Sequence, residues 1–266
     1  GMVYLEQGLV VRGADALSVH GNFIAECGSC IELRDWGQAS KVTDNLLGAG
    51  YKGRCIYGQR FCGRVGSGNN VIHRGAESAR LDDCARCTVT GNRLHSFYPG
   101  MLDLRGRCAE NLVAANHLYR AWEPWPPMQM HGNGLDDSYG LLRVEGTRNT
   151  VVANHVPAII RPGPLDPAGA VPVAIRVSDG SGNYIAANHV VAMTESAVIG
   201  DEAADSCFGA QVDAMLANER AVPLDMTAVR IDPSSTGNVV LDTATDAQAD
   251  LDRSVNAFRP IPAIGA

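Results

Sequence analysis

The feature that most constrains this chain is an internal repeat: a short apolar run closing on an Asn, seen as LSVHGNFIAECG, SKVTDNLLGAG, SGNNVIHRG, CTVTGNRLHSF, NLVAANHLYRA, NTVVANHVPAI and NYIAANHVVAM. The Asn residues are Asn22, Asn45, Asn70, Asn92, Asn116, Asn154 and Asn188, so successive spacings are 23, 25, 22, 24, 38 and 34. A period in the low twenties, without helical stripes or a leucine-rich consensus, predicts an all-β chain wound as a parallel β-helix. Its coils run to roughly 22–25 residues, and the last two repeats carry insertions. One β-helix domain over 1–266 accounts for the pattern. Insertions are expected near 119–140 and 201–220, the latter as a short amphipathic helix, and 257–266 reads as an extended tail.

A second Asn stands five residues earlier in the later coils, at Asn111, Asn149, Asn183 and Asn238. Inward Asn side chains at successive turns can hydrogen-bond along the axis to the same residue one rung away, at a spacing of ~4.8 Å. Between the Asn turns run SCIELR, RCIYGQ, ARLDDC, MLDLRG, LLRVEG, AIRVSD and AVRIDP, in which aliphatic and polar residues alternate. One side of these strands faces the core. The other presents Glu32, Tyr57, Asp82, Asp103, Arg143, Arg176 and Arg230, expected to stack on successive rungs as one exposed sheet.

Eight Cys include two CxxC pairs, a spacing that elsewhere means zinc or redox chemistry. Cys62, Cys84 and Cys108 each precede a turn Asn by eight residues, so the repeat makes them a buried column of small apolar side chains. The CxxC pairs are too far apart for a zinc ribbon, so neither a metal nor a disulfide framework is expected, and no cofactor. His117, His155 and His189 recur beside the Asn turns and read as structural.

Composition narrows the partner. The net charge is -7 and charged residues are 19% of the chain, with only Lys41 and Lys52 as lysines. Phosphate tracking needs clustered positive charge, so neither nucleic acid nor an anionic membrane is expected to bind. A neutral polymer is, and an acidic pectin-type substrate fits less well. No basic, apolar leader opens the chain, which leaves localisation between secreted and cytoplasmic.

Five segments, IAECGSCIEL (24–33), GQASKVTDNLLGAGYKG (37–53), LHSFYPGML (94–102), NGLDDSYGLL (133–142) and GSGNYIAANHVVAM (180–193), resemble the inulin fructotransferases and the related difructose dianhydride III hydrolases. The resemblance implies a right-handed parallel β-helix, a homotrimer with active sites between subunits, and a fructan or difructose anhydride as substrate. It makes Glu32 one of two catalytic carboxylates, which would serve an oxocarbenium-like transition state. The position of the other, an Asp eleven residues earlier, falls on Gly21. Glu26, Asp35 or a carboxylate of another subunit would then have to replace it. Otherwise the chain is a non-catalytic carbohydrate-binding or structural relative. Sugar contacts are expected from Trp36, Tyr57, Asp82 and Asp103, from Trp122, Glu123 and Trp125 in WEPW, and from Asp136 and Asp137, because aromatic faces and carboxylates together hold sugar rings. The alternative for WEPW is apolar pinning of a loop, and for the Asp pair the shaping of a turn.

Overall fold

Most strands of the coils have aliphatic central or alternate residues, so one side of each must leave water. The computed structural model describes residues 1–60, 66–73, 77–96, 100–120, 137–159, 173–193 and 226–247. All pairings between its strands are parallel, and every strand pairs with its counterpart one coil away. The molecule is therefore a three-faced solenoid, as the repeat predicts.

Face one stacks Gln7–Arg12, the second halves of Phe23–Arg34 and Leu46–Gln59, then Glu77–Asp82, Leu102–Arg105, Leu142–Thr147, Val173–Ser181 and Thr227–Ile231. Face two is an 8-stranded sheet of three-residue strands, from Ser18–His20 to Val239–Leu241. Face three runs from Met2–Val3 through Val71–His73, Arg93–Ser96, His117–Arg120, His155–Ile159 and His189–Met193 to Ala244–Ala247. Faces one and three belong to one 15-stranded sheet, because Phe23–Arg34 and Leu46–Gln59 run continuously round the corner between them. Register shifts between Ala25 and Ser29 mark that bend.

The core is a set of aliphatic columns. On face three Ile24, Leu47, Ile72, Leu94, Leu118, Val156 and Val190 are fully buried, and on face two Val113, Val151 and Ile185 continue the same pattern. The six described cysteines, Cys27, Cys30, Cys55, Cys84, Cys87 and Cys108, are all buried, in line with their reading as packing residues. Burial holds the Cys108 thiol up at about 12, where it stays protonated. Cys62, Cys207 and residues 201–220 lie outside the described residues. A small apolar void beside Leu33, Val42 and Ile56 lies within this core and offers nothing polar to a sugar.

The Asn columns stitch the corners. Asn22, Asn45, Asn70, Asn92, Asn116, Asn154 and Asn188 each donate from Nδ2 to the Oδ1 of the next, at 2.9–3.0 Å, until Asn188 ends on the Thr243 hydroxyl. Asn111, Asn149, Asn183 and Asn238 form the second column in the same way. The residue before each Asn of the first column is left-handed: Gly21, Asp44, Asn69, Gly91, Ala115, Ala153 and Ala187 have φ between 51° and 66°. That turn aims the Asn inward, and three alanines accept a conformation that glycine or Asn would adopt more easily.

Candidate functional site

Face one carries the chemistry, and its register fixes which side chains stack. The outward column reads Val10, Glu32, Tyr57, Arg80, Asp103, Arg143, Arg176 and Arg230. Arg80, not Asp82, occupies the rung between Tyr57 and Asp103. Asp82 pairs instead with Gln59 and Arg105, two residues further along the strand. The expected exposed sheet is also corrected: Glu32 is 3% exposed, Asp103 0% and Tyr57 5%, because long arginine side chains lie across this face and cover it.

Tyr57 is the hub of the lower part. The guanidinium groups of Arg54, Arg34 and Arg80 lie 4.7, 5.3 and 5.9 Å from its ring centre. Its hydroxyl donates to Asp82 at 2.9 Å. Burial and that carboxylate push its ionisation up to about 12, so it remains a neutral donor. Arg80 bridges Asp82 at 2.8 Å and Glu77 at 3.1 Å, while Glu77 also takes Arg54 at 2.6 Å and Arg105 at 3.2 Å. Further up, Arg143 meets Glu145 and Arg176 meets Asp232, so acids separate the stacked arginines as their spacing requires.

Glu32 meets Arg34 at 2.7 Å. Oε2 of Glu32 is the oxygen of that ion pair, while the buried Nε of Arg34 has no hydrogen-bond partner. Among the described residues, the rungs beside Glu32 offer Val10 and Tyr57, neither of them a carboxylate. Asp35 is held by Arg12 and Arg60, and Glu26 sits in a left-handed bend. Gly21 lies at the corner between faces two and three, across the coil from face one, and a Cβ added there meets no atom within 4 Å. Trp36 follows the end of Phe23–Arg34 and is 70% exposed, a free aromatic face beside the strand that carries Glu32. Trp122, Glu123, Trp125 and Asp136 lie outside the described residues. Asp137 opens the 3-10 turn Asp137–Tyr139.

That turn adds a residue the sequence reading missed. Tyr139 is buried over face one, between the guanidinium groups of Arg143 at 4.5 Å and Arg105 at 5.5 Å, and its hydroxyl donates to Asp103 at 2.9 Å. NGLDDSYG reads as a turn, so nothing in the local sequence sends Tyr139 onto the face. Asp103 also binds Arg105 at 2.8 Å, and its other oxygen is buried without a partner. Burial raises Asp103 to about 6, against the pull of Arg105 and Tyr139. The folded state therefore binds this proton more tightly than the unfolded chain, and the contribution of Asp103 to stability falls as pH rises from about 4 to 6. Replacing Asp103 by Asn is expected to remove that slope. Relative to the parent, the variant should gain roughly 2–3 kcal/mol on going from pH 4 to pH 7.5. Urea unfolding at both pH values measures this, and an unchanged difference between the proteins would contradict it.

In sum of charge the face is nearly balanced, with guanidinium and carboxylate groups alternating at hydrogen-bond distance. A polyanion would find half of its contacts repulsive, whereas a polyhydroxylated neutral chain finds donors and acceptors throughout. Fold and face together define a parallel β-helix solenoid with a carbohydrate-compatible strip along one side. Residues 115–262 match the family model described as the β-helix repeat of inulin fructotransferase. The DFA-I-forming inulin fructotransferase of Arthrobacter globiformis is 39% identical over 205 residues, which are 76% of this chain and 49% of that protein. Among solved structures, DFA-IIIase from Arthrobacter chlorophenolicus A6 in complex with DFA-III is 50% identical with a TM-score of 0.80, over 100% of this chain and 59% of that one. The same enzyme in complex with GF2 gives 46% identity and a TM-score of 0.79, over 92% and 52%. The chain belongs to the inulin fructotransferase family. It spans about half the length of the relatives it matches.

Proposed function

We propose that this protein acts on a fructan, releasing difructose as a cyclic dianhydride by intramolecular fructosyl transfer, or opens such an anhydride with water. The observation that carries the reading is the family membership together with the place of Glu32 on face one, buried against Arg34. In this reading Glu32 is one carboxylate of the pair that glycosyl transfer needs, placed where charge develops at the anomeric carbon. Trp36, Tyr57, Asp82 and Asp103 belong to the sugar-binding strip, Trp36 by contact and the others by fixing its arginines. Trp122, Glu123, Trp125, Asp136 and Asp137 are proposed as loop contacts to the same substrate. No cofactor enters, since the chemistry needs only carboxyl groups and the substrate's own hydroxyls.

The site is proposed to be completed in a homotrimer. Position 21 and Glu32 lie on opposite sides of one coil, so a pair drawn from these two positions closes only between two chains. A second reading, a non-catalytic sugar-binding solenoid, is favoured by the glycine at position 21.

The test incubates the protein separately with inulin and with difructose anhydride III and separates the products by chromatography. Release of a cyclic difructose, or opening of the anhydride, is expected, with a drop of about 10²-fold or more in Glu32→Gln. A folded protein that turns over neither substrate, yet binds inulin in calorimetry, decides for the second reading.

A further inference from the structure

The three histidines that the repeat places beside its Asn turns are stacked on face three, away from the proposed sugar strip. His117 pairs with His155, and His155 with His189, in direct register. Each follows a ladder Asn, and the bonds from Asn116 to Asn154 at 3.0 Å and from Asn154 to Asn188 at 2.9 Å fix the backbone spacing beneath them. The rings of His117 and His155 lie nearly parallel, 5.2 Å apart. Those of His155 and His189 are different: their centroids are 4.8 Å apart, but a 33° tilt brings the two Nδ1 atoms to 3.0 Å.

Two Nδ1 atoms at that distance cannot both carry a proton, so one imidazole presents a lone pair to the other. Burial and the neighbouring His189 hold His155 below the ordinary histidine range. The flanking corner residues are the exposed Ala153 and Ala187, so no bulky side chain stands at the corner before either ring. Along the column the next residues are Ala244 on one side and His117 then Arg93 on the other.

The geometry points to a binding site for one divalent transition-metal ion, Cu²⁺ or Ni²⁺, chelated by Nδ1 of His155 and Nδ1 of His189 with water at the remaining positions. Nitrogens 3.0 Å apart subtend about 91–97° at a metal roughly 2.0–2.1 Å from each, close to the cis angle of a square-planar or tetragonal site. A tetrahedral zinc ion would want them about 3.4 Å apart. The metal replaces the N–H···N contact: the ring whose Nδ1 bears the proton moves it to Nε2, so at neutral pH no proton need be released. The parallel ring of His117 stacks on His155 and walls the site on one side. Among the described residues no group of three or more His, Cys, Asp or Glu is arranged around a metal, so this is a two-ligand, exchangeable site. It would capture a soluble ion from outside and has no part in the sugar chemistry.

The experiment titrates the intact protein with Cu²⁺ and records electron paramagnetic resonance and calorimetry. The expected result is one equivalent bound, with nitrogen superhyperfine splitting from two imidazoles, competed by Ni²⁺ ahead of Zn²⁺. His155→Ala or His189→Ala should weaken binding at least about tenfold, with His155→Gln as the variant that preserves bulk, while His117→Ala should change it less than about threefold. Circular dichroism before metal addition verifies that each variant is folded. Binding that survives in the double His155→Ala, His189→Ala variant overturns the site, as does a signal without two nitrogens, a preference for Zn²⁺, or no binding at all.

Discussion

Placing Asp at position 21 is expected to raise fructan or anhydride turnover by about 10²–10⁴-fold, the range that a positioned acid or base contributes. The resemblance puts the second catalytic carboxylate at this position, and the backbone there accepts it. Gly21 has a φ of 66°, a left-handed conformation that costs most L-residues energy, but Asp44 holds the same corner one coil later with a φ of 58°. Nothing lies within 4 Å of an added Cβ. The substitution therefore costs about 1 kcal/mol or less of stability while supplying the missing group. Turnover in Gly21→Asp should vanish again when Glu32→Gln is added, since neither carboxylate replaces the other. Sedimentation of the same samples reads the assembly, because in the proposed homotrimer these two positions come from different chains. A folded, trimeric Gly21→Asp protein with unchanged turnover would show that the carboxylate partner of Glu32 does not come from this corner.

Most of the fold was legible because a solenoid writes its architecture into a period. The Asn at each turn is unambiguous in the sequence, and both predicted Asn columns are present rung by rung. Less visible was the left-handed residue before each Asn, since Ala115, Ala153 and Ala187 carry no mark of that conformation. It is imposed by the corner and stabilised by the Asn bonds, a tertiary demand that local propensity does not express.

The site was read less completely, for two reasons. Counting from the Asn, Glu32 and Arg80 both fall ten residues on, Asp103 eleven and Tyr57 twelve, because the corner between faces three and one varies in length and bulges. Asp82 was placed in the Glu32 column by that slip, where Arg80 belongs. The second reason is that alternation separates inward from outward but not exposed from covered. Arginines with long stems fold across the face and bury Glu32, Tyr57 and Asp103 on its outer side. Stacked arginines require acids between them, and Glu145 and Asp232 supply them.

The same Asn columns set the largest stability effect expected in the molecule. Asn116 is 1% exposed. Its Nδ2 donates to the Val89 carbonyl at 2.8 Å and to Asn154 Oδ1 at 3.0 Å, while its Oδ1 accepts from the backbone N–H and the Nδ2 of Asn92, both at 3.0 Å. Truncation to Ala strands the Asn92 donors and removes a donor from two acceptors, in an interior where water does not replace them. The cost is about 3–5 kcal/mol, or a fall in Tm of roughly 6–20 °C for a chain of this size. Asn116→Asp tests whether shape or polarity is responsible. It keeps the volume but turns an oxygen toward the Val89 carbonyl and Asn154 Oδ1, so it should be at least as damaging at pH 7. If Asn116→Asp melts with the parent protein, the ladder contributes packing alone, and the rigid spacing that places both the histidine column and the corner at position 21 would have to come from the aliphatic core.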